Sequence, residues 1–447
     1  MNQNSKALLT ATPKQIMINL SIPAILGMVV IGLYPLMDGI FAGQILGKSA
    51  MTAVGIAMPF TYLNTAISTL VGIGSASVLS RAIGENNTKT LHHIMGNLTF
   101  WIIIFSTVIT LLGFFFSPSL LQLVGANGEI LDLGTRYLRL IFLGSIFVNF
   151  TQSANMIIRG EGLMKRAMMI MALGAIINII LDPILMTFIP QYGIEGAAIA
   201  TLIAQVTQAI VTYVYFKKIS KTIKLNKVQP YQPIQKAIFS IGASAMFMQL
   251  LTIIQQSLLY SQAFKYGGNE AGATMSASLR ILSFSFIPLW GMAQGLQPAI
   301  GTNYGAKLYH RVHHIFKIFT LSSIGLALVF WIPAQLWTEN LIALFGINGD
   351  SVSISALQFR LFYSTFALYG IMIMTLTYFQ SIGNAKMAGL LVVLRQVILF
   401  IPCILISPLF YGLNAVWLTS SVIDLVIIIL SVFFYRKSYH QLKNLAI

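Results

Sequence analysis

Apolar runs long enough to cross a bilayer, roughly 18 residues or more, recur along the whole chain and are broken by short polar segments. The pattern predicts twelve spanning helices, at about 15–42, 52–79, 91–116, 131–158, 166–188, 194–216, 235–264, 271–300, 312–335, 353–379, 386–408 and 412–435. Some runs exceed the minimum, which predicts tilt or protrusion. The period-two alternation of a membrane barrel is absent. The expected fold is all-α and integral to the membrane.

Polar residues inside these runs carry the information. Asn178 and Asp182 lie four positions apart in the fifth span, within Asn178-Ile179-Ile180-Leu181-Asp182-Pro183. That spacing puts them on one helix face. A carboxylate at the centre of a lipid-facing helix costs about 2.5–3.5 kcal/mol even on the mildest scale, so Asp182 should face a cavity, a partner or an ion. Pro183 has no N–H, which deprives the Ile179 carbonyl of its helical donor. Asp38 follows Pro35 in the first span in the same way. Two buried acids beside proline breaks make a cation site of hard oxygen ligands. Two close carboxylates would equally carry a proton. The plainer reading is that each acid pairs with a neighbouring helix. For the third deep acid, Asp424, that reading is the stronger one, with Arg395 as its partner.

Charge then sets the topology. Only 9% of the 447 residues are charged, against about 25% in soluble domains. The net charge of +16 would suit nucleic acid if it were clustered on one surface. Instead, with the N-terminus inside, 20 Lys and Arg fall in inner segments and only Lys48 and Lys265 in outer loops. This is the positive-inside pattern, and it predicts both termini in the cytoplasm and no nucleic-acid partner. The polar start, Met1–Lys14, and the long apolar segment after it do not read as a cleavable signal. The single cysteine, Cys403, excludes an internal disulfide framework.

The chain also repeats itself. Gly125-Ala126-Asn127-Gly128-Glu129 matches Gly346-Ile347-Asn348-Gly349-Asp350. Leu138-Arg139-Leu140 matches Phe359-Arg360-Leu361, and His92-His93-Ile94 matches His313-His314-Ile315. All differ by 221 positions. Pro183 and Tyr192-Gly193 match Pro402 and Tyr411-Gly412 at a shift of 219. We therefore expect an N-terminal six-helix lobe over 1–216, a basic cytoplasmic linker over 217–236 and a C-terminal six-helix lobe over 237–447. Halves of even helix number enter from the same side, so their pseudo-two-fold should run along the membrane normal with the substrate path between them. The His pairs read as interfacial side chains before they read as a metal site. The Gly-Xaa-Asn-Gly pairs read as loop backbone, because no phosphate-loop Lys follows.

The second half is poor in acids and rich in amides and aromatics. Together with Tyr34, the residues Gln255, Gln256, Tyr260, Arg280 and Phe284 are candidates for an adaptable substrate chamber. No metal-ligand spacing, nucleotide loop or nucleophile elbow stands out, so neither an enzyme nor an ATP-driven pump is expected. An ion gradient is the remaining energy source.

Over nearly its whole length the chain resembles the multidrug and toxic compound extrusion (MATE) transporters. The likeness rests on Leu33-Tyr34-Pro35-Leu36-Met37-Asp38-Gly39, on the Asn178–Pro183 stretch, and on Gly193-Ile194-Glu195-Gly196-Ala197-Ala198-Ile199-Ala200-Thr201. Within the family it is most similar to the MepA type and the DinF-like branch, to which Ser278-Leu279-Arg280 also conforms. The resemblance implies a monomeric multi-pass antiporter of the bacterial cytoplasmic membrane. It would exchange amphipathic, often cationic drugs for protons or sodium and need no other cofactor. The matching cation-site positions are Asp38, Asn178, Asp182 and Thr201. The acids that another branch carries in spans 7 and 10 are missing, which favours the N-lobe site. The rival expectations are a lipid-linked precursor flippase and, less favoured, an integral-membrane enzyme.

Overall fold

The computed structural model describes residues 3–46, 48–123, 126–188, 193–220, 222–344 and 351–445. The backbone of 33–40 is helical, but its side chains, those of Tyr34 and Asp38 included, lie outside the described residues.

The helices are α1 (Gln3–Thr10), α2 (Pro13–Phe41), α3 (Lys48–Gly84), α4 (Thr88–Leu123), α5 (Gly128–Leu143), α6 (Ser145–Gly160), α7 (Met164–Phe188), α8 (Gly193–Val214), α9 (Gln232–Gly305), α10 (Tyr309–Leu336), α11 (Thr338–Ala343), α12 (Ser351–Tyr363), α13 (Tyr369–Ser381), α14 (Ala385–Val393) and α15 (Ile401–Leu445). Two of these contain glycine kinks, at Gly268 in α9 (φ 65°) and Gly412 in α15 (φ 59°). Only glycine enters that region without a Cβ penalty, so each kink is a turn between two membrane passes. The helices α5 and α6 form one pass bent by 52°. The pair α12 and α13 forms another, joined by a short 3-10 turn at Phe366–Leu368. Among the described residues this gives the twelve passes expected, in an all-α membrane fold.

The internal repeat is visible in the backbone. Gly162 and Gly383, 221 positions apart, both have φ of 80°, and Asn86 and Lys307 have φ of 55° and 59°. Each pair closes a helix in the same way. Leu163 N–H reaches the Ile158 carbonyl and Asn384 N–H reaches that of Phe379. Asn87 N–H reaches Ala82, and Leu308 N–H reaches Asn303. These 6→1 bonds satisfy carbonyls that a helix end leaves open.

The chain packs as two compact units. Unit 1 comprises Met1–Thr10 and Leu26–Met246; unit 2 comprises Ala11–Ile25 and Phe247–Ile447. Each unit thus holds the opening turns of the other half's first span. Within unit 1, Gly74 of α3 lies against the backbone of Ile238 at the start of α9. Within unit 2, the equivalent Gly295 lies against Leu20 in the first part of α2, 3.1 Å from an ideal Cβ position. Absence of a side chain lets the helices cross this closely.

Unit 1 also buries a carboxylate outside the spans. Glu161, in the turn between α6 and α7, is fully buried. Burial pushes its carboxyl from the usual 4.5 up to about 8, with Arg166 and Tyr215 pulling the other way. Between those two values the unfolded chain has lost the proton that the folded chain keeps, so stability falls as pH rises through that window. We predict that Glu161→Gln flattens the pH dependence of thermal stability between about 4.5 and 8 and raises the melting temperature at the alkaline end. Thermal denaturation in detergent across pH reads this directly.

Candidate functional site

The site lies on α7 and α8 of unit 1. The helix α8 begins with small residues, and Ala197, Ala198 and Ala200 have no exposed surface. A Cβ on Gly196 would lie 2.6 Å from the Leu185 carbonyl oxygen, so the two backbones are as close as glycine allows. This approach carries Thr201 to the face of α7 that holds Asn178 and Asp182.

All three side chains are buried, Asn178 and Asp182 at 0% and Thr201 at 3% exposure. Asn178 Nδ2 donates to Asp182 Oδ1 at 3.0 Å and to Thr201 Oγ1 at 3.3 Å. The i, i+4 spacing read from the sequence therefore becomes a physical contact. Asn178 Oδ1 is buried and makes no hydrogen bond. Beside the triad lies a cavity of about 100 Å³, whose lining includes Ile31, Gln152, Gly174, Asn178, Thr201, Gln205 and Gln208. It is closed partly by Gln208, whose Nε2 donates to the carbonyls of Ile170 (3.3 Å) and Met171 (2.9 Å). On the other side, α2 meets α7 where Gly27 faces Met168.

The donor set is all oxygen apart from the Asn178 amide nitrogen, and it fits a hard cation or a proton. In this arrangement the NH₂ of Asn178 occupies the position between Asp182 and Thr201. A sodium ion there would need the amide turned so that the unbonded Oδ1 faces inward. A proton on Asp182 needs no such turn. No cluster of three or more His, Cys, Asp or Glu that could hold a metal occurs among the described residues.

A second buried network was not legible in the sequence. Ser68 Oγ donates to Asn149 Oδ1 (2.8 Å), and Asn149 Nδ2 donates to Asn64 Oδ1 (3.3 Å) and Ser106 Oγ (3.0 Å). It ties α3, α4 and α6 of unit 1 together. A third network lies in unit 2. Arg395 donates through Nε to Asp424 Oδ1 at 2.8 Å, through Nη1 to Gln255 Oε1 at 3.3 Å, and through Nη2 to the Tyr369 hydroxyl.

The sequence-predicted positions divide accordingly. Asn178, Asp182 and Thr201 come together; the side chain of Asp38 lies outside the described residues. In unit 2, Gln255 is bound to Arg395, Tyr260 donates to Ser276 at 3.4 Å, and Gln256 is half-buried. Arg280 is exposed, and Phe284 is 61% exposed with its ring edge-on to Phe330. None of these five lines the cavity beside the triad.

The MatE family pattern matches residues 23–184 and again 244–406. The chain belongs to the MATE family. The two matched stretches begin 221 positions apart, the same shift as the sequence repeat. Multidrug export protein MepA of Staphylococcus aureus is 25% identical over 402 residues, covering 90% of this chain and 88% of that protein. MepA of Staphylococcus saprophyticus is 24% identical with the same coverage. Among solved structures, a MATE protein in the bent conformation superposes with a TM-score of 0.92 at 26% identity, covering 99% of each chain. A MOP-superfamily transporter from Pyrococcus furiosus gives 0.91 at 26% identity and the same coverage. As a MATE transporter, the chain is a multi-pass membrane protein.

The Arg395–Asp424 pair can be tested apart from the triad. Asp424→Asn leaves a buried guanidinium short of its counter-charge and should destabilise unit 2 by about 3–5 kcal/mol. Adding Arg395→Gln should recover part of that loss. Melting of the two variants in detergent checks it; a double variant less stable than the single would contradict the pairing role.

Proposed function

We propose that this protein exports amphipathic, largely cationic drugs across the bacterial cytoplasmic membrane in exchange for protons or sodium. The observation that carries the proposal is Asp182, a fully buried carboxylate in a membrane helix with Asn178 Nδ2 at hydrogen-bond distance. The same Asn178 amide reaches Thr201 Oγ1, so the carboxylate sits in an oxygen-rich polar set. Its environment is one in which charge is stabilised by a bound ion or removed by a proton. The names of the Staphylococcus relatives supply the cargo class.

Asp182 carries the coupling ion, and Asn178 and Thr201 are its neutral partners. Asp38 of α2 completes the set. When the ion leaves, the carboxylate must regain compensation, and α2 is the element that moves. The boundary between the units in α2 falls at Ile25–Leu26, two residues beyond Pro23, where the helix lacks a backbone donor. Coupling requires only that drug and ion favour different states. The distribution of Lys and Arg supports an orientation with both termini in the cytoplasm, and the protein acts as a monomer without enzymatic chemistry.

A fluorescent cationic dye loaded into cells or proteoliposomes tests this. An imposed proton or sodium gradient should drive dye export by the wild-type chain. Asp182→Asn should lower the driven rate roughly tenfold or more, because the coupling free energy is lost. Full gradient-driven export by Asp182→Asn would sink the assignment.

A further inference from the structure

Unit 2 contains a cavity of about 490 Å³ that the drug-export reading does not use. It lies where the first turns of α10, the middle of α13 and the last turns of α15 meet. Its rim is cationic, with Lys317 and Arg436 exposed beside the exposed His440. One wall is aromatic. His313 stacks on Tyr439 at 4.0 Å between ring centroids, and Phe316 stacks on Tyr435 at 3.8 Å. His313 Nδ1 and the Tyr435 hydroxyl share a 2.7 Å hydrogen bond that fixes the wall. Leu321, Ile371 and Val432 make the rest of the lining apolar, with Leu321 exposed. Thr320 and Thr375 also line the cavity, and both hydroxyls are buried without a hydrogen-bond partner. Thr375 as a whole has no exposed surface.

Two further observations say what such a cavity takes. First, among the described residues unit 2 brings no acid to it. The acids of unit 2 are Glu270, Glu339, Asp350 and Asp424. Glu270 follows the Gly268 kink, and Glu339 lies beyond the far end of α10. Asp424 is paired with Arg395, and Asp350 lies outside the described residues. The rim charge is therefore uncompensated and selects an anion; it would repel a cationic cargo. Second, the repeat shows that the matching surface in unit 1 is covered. The counterparts of His313, His314 and Lys317 are His92, His93 and Gly96. There the Lys227 carbonyl lies against Gly96, Asn226 Nδ2 donates to the His92 carbonyl at 3.3 Å, and Tyr231 stacks on His93 at 4.4 Å. That cover is the linker between the halves. In unit 2 the corresponding groove is lined instead by the last turns of α15, which continues as helix to Leu445.

From the open cavity, its acid-free cationic rim and the two unsatisfied hydroxyls, we infer that unit 2 holds an acidic phospholipid at its cytoplasmic end. The phosphate meets Lys317 and Arg436, and the threonine hydroxyls bond the glycerol or ester oxygens. The acyl chains run along Leu321 and Val432 into the bilayer. Long basic side chains at the ends of membrane helices suit this role, and anionic lipid is enriched on the cytoplasmic side. The inference rests on the orientation given above and not on the exported cargo.

Native mass spectrometry of the purified full chain, titrated with phosphatidylglycerol or phosphatidylcholine, tests it without a transport assay. The wild type should retain one phosphatidylglycerol in preference to phosphatidylcholine. Replacing both cations, Lys317→Gln with Arg436→Gln, should weaken that binding roughly thirtyfold. Should that variant fold poorly, Leu321→Trp supplies a second reading. Its added indole should be quenched by phosphatidylglycerol with brominated chains at lipid ratios where the phosphatidylcholine analogue has no effect. Equal retention of the two lipids, undiminished binding by the double variant, or equal quenching would overturn the site. Full displacement of the lipid by inorganic phosphate alone would reassign it to a soluble anion.

Discussion

A carboxylate inside a membrane helix is unaffordable unless something compensates it, and the architecture of unit 1 follows from that constraint. Asp182 is fully buried on α7 and accepts from Asn178 one turn away, which also donates to Thr201 on a second helix. The second helix can deliver Thr201 only because Gly196 lets α8 touch the Leu185 backbone. A bulkier residue there would part the helices and strand the acid. The same logic explains unit 2 by contrast. Asp424 is compensated by Arg395, so its charge is held within the protein and nothing needs to come or go. One buried acid is therefore held by a fixed cation, and the other by neutral amide and hydroxyl neighbours.

The repeat organises the rest. Equivalent turns at Gly162 and Gly383, and at Asn86 and Lys307, show two copies of one helical plan. Each compact unit incorporates the start of the other copy's first span. The copies have then diverged in their polar interiors. Unit 1 keeps the Asn178–Asp182–Thr201 triad and the Asn149 network; unit 2 keeps the Arg395 network. They have diverged at the surface as well, where the linker covers the α4 groove and leaves its α10 counterpart open.

Spans, repeat and triad were legible in the sequence because each is a local signal. Hydrophobic length marks a span, a constant shift marks a copy, and an i, i+4 pair marks one helix face. The substrate chamber was less legible for a physical reason. Gln255 looks the same whether it faces a cavity or an arginine on another helix; only packing decides, and here Arg395 takes it. The Asn149 network is hidden from the sequence for the same reason. Asn64, Ser68, Ser106 and Asn149 are unremarkable polar residues on three helices, and only the register of those helices joins them. Glu161 follows the same rule: its sequence position is that of a turn, and only the fold buries it.

The most direct test of the account is equilibrium binding of a cationic dye to the purified protein, with and without the coupling ion. Linkage requires that an ion which shifts the protein away from the drug-binding state lowers dye affinity, and that the drug lowers ion affinity by the same factor. The account predicts that lowering pH, or adding sodium, weakens dye binding to the wild type and leaves Asp182→Asn unchanged. Dye affinity in the wild type that is indifferent to both ions, or an ion response that survives in Asp182→Asn, would contradict it.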